Sequence, residues 1–481
     1  MKDVCDKKMT FQDCELAILR VAVDNAEEKQ GRTVANSPEV KHIIGIVENF
    51  LRKKQLVCYG GVAINSVLPK QDQFYNYDVE IPDYDFYSPN ALKDAKELVD
   101  LYIENGFQEV EAKSGQHHGT FKVYVNFIPV ADITSIPKEL FNSIKKDSIR
   151  VAGILYAPPN FLRMGMYLEL SRPSGDVSRW EKVLKRLILL NKHYPLKGNE
   201  CSKIDFQRQM ADSELSDKIY DNVQHTLIDQ GVVFFGGNAL SLYSKYMPQK
   251  LQHKLKKIPD FDVLSEEPMQ TSQIIKERLS DINVKNVKII KRPGIGEIIA
   301  PHYEIQVGND TVVFVYEPLA CHSYNIVKEE GYDIKIATLD TMLSFWLAFL
   351  YANRPYYDKD RILCMANYLF EVQEKNRLNQ KGLLKRFSIN CMGHQETLEE
   401  MRAEKAEKFI ELKGKHDDPE YDEWFLRYRP LDNKKDTDES INTKKYKQTN
   451  KGKQTNKSKT NKNNKTNKKR RKSRKRRGLF F

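Results

Sequence analysis

The dipeptide Gly-Gly occurs twice in these 481 residues, at Gly60-Gly61 and Gly236-Gly237, and the text around it recurs. Each copy follows a short apolar run, LVCY or VVFF, and precedes an amphipathic stretch, VAINSVL or NALSLYS. Further on, Ile-Pro-Asp-Tyr-Asp-Phe-Tyr-Ser (81–88) matches Ile-Pro-Asp-Phe-Asp-Val-Leu-Ser (258–265), and Arg172-Pro173 with Arg179 answers Arg354-Pro355 with Arg361. The offset between copies drifts only from 176 to 182. A repeat of this length means one fold built twice. It predicts a helical preface (1–35), a first domain (36–195), a second domain (196–432) and a basic tail (433–481).

Within the first copy the periodicities alternate between helix and strand. Ser37-Pro38 has the chemistry of an N-cap followed by proline in the first turn, and it opens a helix to about Lys54. Strands are predicted at 56–59, 84–87, 107–111, 120–127 and 130–134, with helices from Gly61 and over 90–104, 158–170 and 176–192. The class is α+β, a small mixed sheet with helices in each copy.

Charge is unevenly placed. Residues 433–481 carry 20 Lys or Arg against Asp436, Asp438 and Glu439, so the tail is +17 and the rest of the chain −5, within a formal total of +12. Apart from Leu479-Phe480-Phe481 the tail has almost nothing to bury and is expected to be disordered. A basic arm of this kind suits a polyanion, nucleic acid first; a solubilising or nuclear-address role is the plainer alternative. The seven cysteines are scattered and never spaced Cys-x-x-Cys. Zinc cages and a disulfide framework are therefore not expected, and a reducing compartment is the natural reading. No apolar run reaches eighteen residues, and the N-terminus does not read as a secretory signal.

The chemistry is expected in the first copy. Asp83 and Asp85, two apart on a strand, put both carboxylates on one face. Paired carboxylates repel, and Mg²⁺ or Mn²⁺ held together with substrate phosphates relieves the repulsion. Asp132, at the end of KVYVNFIPVADIT, is the candidate third ligand, so that two metals could flank a reacting phosphorus. At Gly60-Gly61 the backbone can approach a triphosphate, with the N–H groups of the following helix pointing at it. Arg179, Lys182 and Arg186 share one helical face, as triphosphate or primer contacts or as a solvated basic surface. In the second copy, aligning Phe-Ile-Pro-Val-Ala-Asp132 with Tyr-Glu-Pro-Leu-Ala-Cys321 puts a thiol where the third acid should be, which predicts a degenerate site.

Gly60-Gly61, Asp83-Tyr84-Asp85-Phe86 and Asp132 together resemble the nucleotidyltransferase superfamily of DNA polymerase beta type. Within it, LVCYGGVAINSVLP, IPDYDFYSPNALKDAKEL and DVSRWEKVLKRL are similar to the poly(A) polymerase catalytic subunits of large cytoplasmic DNA viruses, the giant-virus and asfarvirus group with distant poxvirus relatives. Taken with the repeat and the missing third acid, this predicts two tandem nucleotidyltransferase-like domains, the second degenerate. It implies AMP transfer from ATP to the 3′ end of mRNA, with two Mg²⁺ or Mn²⁺ ions held by Asp83, Asp85 and Asp132. It also implies a viral protein of the host cytoplasm or viral factory, with the virion as a further location. The chain departs from the superfamily at Val62, where many members place a serine on the triphosphate. That contact would pass to backbone amides or to Asn65 or Ser66. Transfer to another acceptor and non-catalytic RNA binding are the competing readings, and a homodimer through the second domain is a further option.

Deleting 433–481 is expected to weaken RNA binding and flatten its salt dependence without abolishing nucleotide transfer, because the arm supplies counterion release and no metal ligand. RNA affinity measured at several salt concentrations checks this; an unchanged slope would mean the arm does not touch RNA.

Overall fold

The computed structural model describes residues 4–208, 210, 213–252, 260–329 and 331–431. The tail, with its expected disorder and RNA contact, and Ile258-Pro259 of the repeated motif lie outside the described residues. The fold is α+β, with two eight-stranded sheets.

The preface is one helix, α1 (Phe11–Ala35). In α2 (Pro38–Lys54) the Ser37 hydroxyl accepts from the Val40 N–H at 3.2 Å, and Val40, Ile43, Val47, Phe50 and Leu51 form the buried stripe. Next come β1 (Val57–Cys58), α3 (Gly60–Val67), β2 (Tyr84–Ser88) and α4 (Ala91–Glu104). The strands β3 (Val110–Ser114), β4 (Thr120–Val125) and β5 (Ile128–Ser135) precede α5 (Lys138–Lys146). Short strands β6 (Ile149–Val151) and β7 (Ile154–Tyr156) lead to α6 (Pro159–Leu170) and α7 (Trp180–His193).

The second half repeats this series. It contains α8 (Ser213–Asp229), β8 (Val233–Phe234), α9 (Gly237–Ser244), β9 (Phe261–Leu264) and α10 (Pro268–Asp281). Four longer strands follow: β10 (Val287–Arg292), β11 (His302–Val307), β12 (Asp310–Tyr316) and β13 (His322–Glu329). Then come β14 (Tyr332–Ala337), α11 (Leu339–Phe349) and α12 (Lys359–Lys375). The described chain ends with β15 (Cys391–Met392), α13 (Leu398–Glu411), α14 (Pro419–Phe425) and β16 (Arg427–Tyr428).

The sheets run β16-β3-β4-β5-β2-β1-β7-β6 and β10-β11-β12-β9-β8-β14-β13-β15. Without the outermost β16 and β15, seven strands remain in each, in the same order and with the same sense at every pairing. The sheets are larger than the sequence suggests because strands of three residues, such as β6 and β7, are too short to show a period. The parallel pair β9–β12 sets Asp262 opposite Phe314, as β2–β5 sets Asp85 opposite Asp132. Phe314, not Cys321, therefore stands in place of the third acid, and the textual alignment was seven residues out of register.

The cysteine reading is also corrected. Cys5–Cys14, Cys201–Cys364 and Cys321–Cys391 are paired, with Cα separations of 5.2, 5.4 and 5.1 Å, and only the buried Cys58 is free. The partners are 163 and 70 residues apart in two of the three, so their spacing carries no local signal. No helix among the described residues is long and apolar enough to cross a membrane.

The halves are not beads on a linker. Residues up to Arg429 form one compact unit, in which α6 packs on α11 and Phe161 meets Tyr351 edge to face at 5.2 Å. The end of the nominal second domain returns to the first: β16 pairs with β3, Lys96 bonds Asp422 at 2.6 Å, and Tyr428 donates to Asp100 at 2.9 Å.

One buried side chain fixes the loop that frames the Gly-Gly turn. Asn65, 0% exposed on α3, accepts with Oδ1 from the N–H groups of Phe74 (2.8 Å) and Tyr75 (2.9 Å). Asn65→Ala would leave two partly buried donors without this acceptor and should destabilise the fold by roughly 1–3 kcal/mol in urea unfolding. A loss below about 0.5 kcal/mol, the ordinary range for surface substitutions, would show that the loop does not depend on this side chain.

Candidate active site

The central strand of the first sheet carries the acids. In β2 the buried residues alternate, Tyr84, Phe86 and Ser88 facing the core, so Asp85 faces the other way, with Asp83 two residues before it. On one side β1 delivers the Gly-Gly turn: the Tyr59 N–H bonds the Asp85 carbonyl at 2.9 Å, and Gly60 turns with φ +71°. A Cβ on Gly60 would run into the Asp85 carboxylate, so a bare backbone is required there as well as the left-handed angle. On the other side the parallel strand β5 sets Asp132 in register with Asp85. The three predicted acids therefore meet on one sheet face.

Their electrostatics are unbalanced. Burial pushes the Asp85 carboxyl up to about 7, with the charges of Asp83 and Asp132 adding to it and Lys122 and Arg179 opposing. Burial and the Asp132 charge raise Asp83 to about 6. Asp83 Oδ1 and Asp132 Oδ1 are buried and have no hydrogen-bond partner. The other oxygen of Asp132 is held by the Lys122 ammonium, from the residue opposite it on β4. No three His, Cys, Asp or Glu side chains among the described residues stand close enough to enclose a metal ion. Two orphaned carboxylate oxygens and two raised carboxyls are nonetheless what a hard divalent cation would relieve, so the residues fit one.

The nucleotide-side candidates divide. Gly61, in the first turn of α3, lies under Tyr75 and Arg186: a Cβ there would meet Tyr75 Oη at 2.5 Å and Arg186 Nη1 at 3.1 Å. Arg186 donates to Tyr75 Oη at 2.7 Å and stacks over Phe74 at 4.7 Å. Arg179 pairs with Glu169 at 3.3 Å, is 57% exposed, and its charge reaches Asp85; Lys182 is exposed on α7. Asn65 faces the 74–75 loop, Ser66 lies near Tyr77 and Tyr156, and Val62 is buried.

Sequence reasoning did not single out Lys122, because its place depends on the register shift at Val123/Tyr124 in the β4–β5 pair. It grouped Arg186 with a basic face, but only the packing of α7 against the 74–75 loop brings it over Gly61. Nor did it find a cleft of about 760 Å³ along the same sheet face, walled by Tyr59, Tyr87, Thr120 and Thr134, two residues on from the acids. Lys93, His117 and His118 line the cleft, and Gly296 and Glu297 of the second half reach it. The Tyr59 and Tyr87 rings stack at 3.9 Å, and Tyr59 Oη bonds Thr134 Oγ1 at 2.8 Å.

Comparison with known proteins adds three findings. Residues 45–176 match the family model described as poly(A) polymerase catalytic subunit. Proteins provisionally named poly(A) polymerase catalytic subunits are similar over that region. One, from African swine fever virus (strain Badajoz 1971 Vero-adapted), is 34% identical over 168 residues, 34% of this chain and 35% of its own. Another, from Acanthamoeba polyphaga mimivirus, is 33% identical over 163 residues, 33% of this chain and 27% of its own. The chain thus spans about a third of the length of these relatives. The crystal structure of the Megavirus polyadenylate synthase superposes with a TM-score of 0.72 over 92% of both chains at 20% identity, which shows a shared fold. Over 45–176, the stretch that holds Gly60, Asp83, Asp85 and Asp132, the chain matches the poly(A) polymerase catalytic subunit family.

Proposed function

We propose that this protein is a template-independent nucleotidyltransferase that adds AMP from ATP to the 3′ end of mRNA. The observation that carries the reading is the register of β2 against β5, which sets Asp85 opposite Asp132 beside the Gly60 turn and leaves the carboxylates short of positive charge. Family and fold comparisons favour polyadenylation over transfer to another acceptor.

In this reading Asp83, Asp85 and Asp132 hold two Mg²⁺ or Mn²⁺ ions. Bound there, such ions supply charge stabilisation for the triphosphate and for the attacking 3′ oxygen. The protein's own groups do the rest. The first N–H groups of α3 would face the phosphates, and position 62, a buried valine, offers them no hydroxyl. Arg186, fixed by Tyr75 over Gly61, adds positive charge where pyrophosphate would leave, and Arg179 and Lys182 extend it along α7. Lys122 holds Asp132 in place. The cleft beyond Tyr59 and Thr134 would orient the terminal nucleotides of the RNA, with Lys93 beside their phosphates. A host-cytoplasmic location belongs to the same proposal, since the relatives are viral. Self-association through the second half finds no support in the comparisons.

Asp83→Ala, Asp85→Ala and Asp132→Ala should each lower AMP incorporation into an RNA oligonucleotide by about 10³-fold or more while leaving the circular dichroism spectrum unchanged, as expected for loss of transition-state charge stabilisation. Near-normal turnover by folded Asp85→Ala would refute the assignment.

Metal linkage gives a second check. Asp83 and Asp85 bind their protons more tightly folded than unfolded, so their contribution to stability is lost as pH rises from about 4 to about 7. Melting measured without metal should therefore worsen across that window, and Mn²⁺ should raise the melting temperature more at pH 8 than at pH 5. Asp85→Asn should flatten the pH dependence. An Mn²⁺ effect equal at both pH values would contradict the linkage.

A further inference from the structure

The second half keeps the Gly-Gly turn and the Asp-x-Asp in the same places, so the repeat alone would put a cation there too. The residues present do not fit one. Asp260 and Asp262 are already occupied by Arg208, from the segment that connects the halves. Its backbone N–H bonds Asp260 Oδ1 at 2.9 Å, and its Nη2 lies 2.6 Å from Asp260 Oδ2 and 3.2 Å from Asp262 Oδ1. Nη2 also donates to the Phe261 carbonyl at 3.3 Å. The guanidinium lies over the Phe314 ring at 4.7 Å, and Phe314 is the residue that register puts in the place of Asp132. The equivalence extends to the turn: a Cβ on Gly236 would strike the Asp262 carboxylate, as one on Gly60 would strike Asp85.

The nucleotide side is filled as well. The carbonyl of Phe206 lies 3.5 Å from where Gly237 would carry a Cβ, at the start of α9, and the Phe206 ring meets Tyr368 at 5.7 Å. The space left among these groups is about 30 Å³. That is water-sized, whereas small-molecule sites run to several hundred Å³. A second guanidinium, Arg361, which answers Arg179 in the repeat, lines the same space and feels both carboxylates. Two arginines thus face the two aspartates, with the Tyr220 hydroxyl near Asp260, so the positive charge a divalent cation would bring is already supplied by the chain's own guanidinium groups.

We propose that the second Asp-x-Asp is a guanidinium site: Arg208 takes the position a catalytic metal would hold, and Phe206–Arg208 occupy the cleft a nucleotide would enter. The decayed site is a clamp for the chain's own connecting segment, and it binds neither metal nor triphosphate. The retained aspartates have a physical reason, because removing one partner of a buried ion pair leaves the other uncompensated.

Bound Mn²⁺, counted by electron paramagnetic resonance on the full chain with no nucleotide, tests this. Asp260→Asn with Asp262→Asn should leave the count unchanged, and Asp83→Ala with Asp85→Ala should remove the tight sites. Adding Arg208→Met to the Asp83/Asp85 double variant should create about one new Mn²⁺ site and an Mn²⁺-dependent rise in melting temperature that its parent lacks. A fall in bound Mn²⁺ on changing Asp260 and Asp262 with Arg208 intact would overturn the proposal, as would no gain in folded Arg208→Met. Should Arg208→Met not fold, the combination with Asp260→Asn and Asp262→Asn should melt closer to the parent than Arg208→Met does, because charge and partner leave together. A combined variant that melts as low as Arg208→Met alone would equally overturn it.

Discussion

Carboxylates held side by side in a partly dry place repel, and the strand register of the first sheet forces that situation on Asp83, Asp85 and Asp132. Nothing local to β2 compels it: Asp85 is half of the arrangement, and the other half comes from β5, 47 residues further along the chain. Once the sheet closes, the cost is fixed and must be met by positive charge. Lys122 meets part of it at Asp132, while the buried and unpartnered oxygens of Asp83 and Asp132 show that part of it stands open.

The duplication lets the same constraint be seen twice, with two solutions. Both halves build the same seven strands and set the same glycine against the second aspartate. In the first, the third position is an acid and the turn lies under Arg186, whose guanidinium bonds Tyr75 and stacks over Phe74. In the second, the third position is Phe314, and Arg208 lies on its ring with its charge spent on Asp260 and Asp262. Burial of this second pair works against ionisation, yet the two carboxylates outweigh it and keep Arg208 charged.

Packing between the halves then limits how independent they can be. α6 lies on α11, the Ser323 N–H bonds the Ser171 carbonyl at 2.8 Å, and β16 closes the free edge of β3. The wall of the cleft beside the acids includes Gly296 and Glu297. The second half therefore shapes the surroundings of the three acids, and stability lost in one place will be felt in the other.

The sequence by itself determined the repeat, several elements of its first copy and the candidate acids. Periodicity placed α2, β2 and α4 to within a residue or two; the Gly-Gly and Asp-x-Asp spacing identified the duplication and named Asp83, Asp85 and Asp132. These are local properties: a two-residue alternation, a cap and a turn are written in neighbouring residues. What only the tertiary structure decided is what meets what. Phe314 rather than Cys321 replaces the third acid, Cys201 reaches Cys364, Arg186 roofs Gly61, residues 398–429 return to the first sheet, and Arg208 enters the second site. Each of these depends on strand register or on contacts between residues tens to hundreds of positions apart, where a slip of one residue reverses every side chain and leaves the local text unchanged.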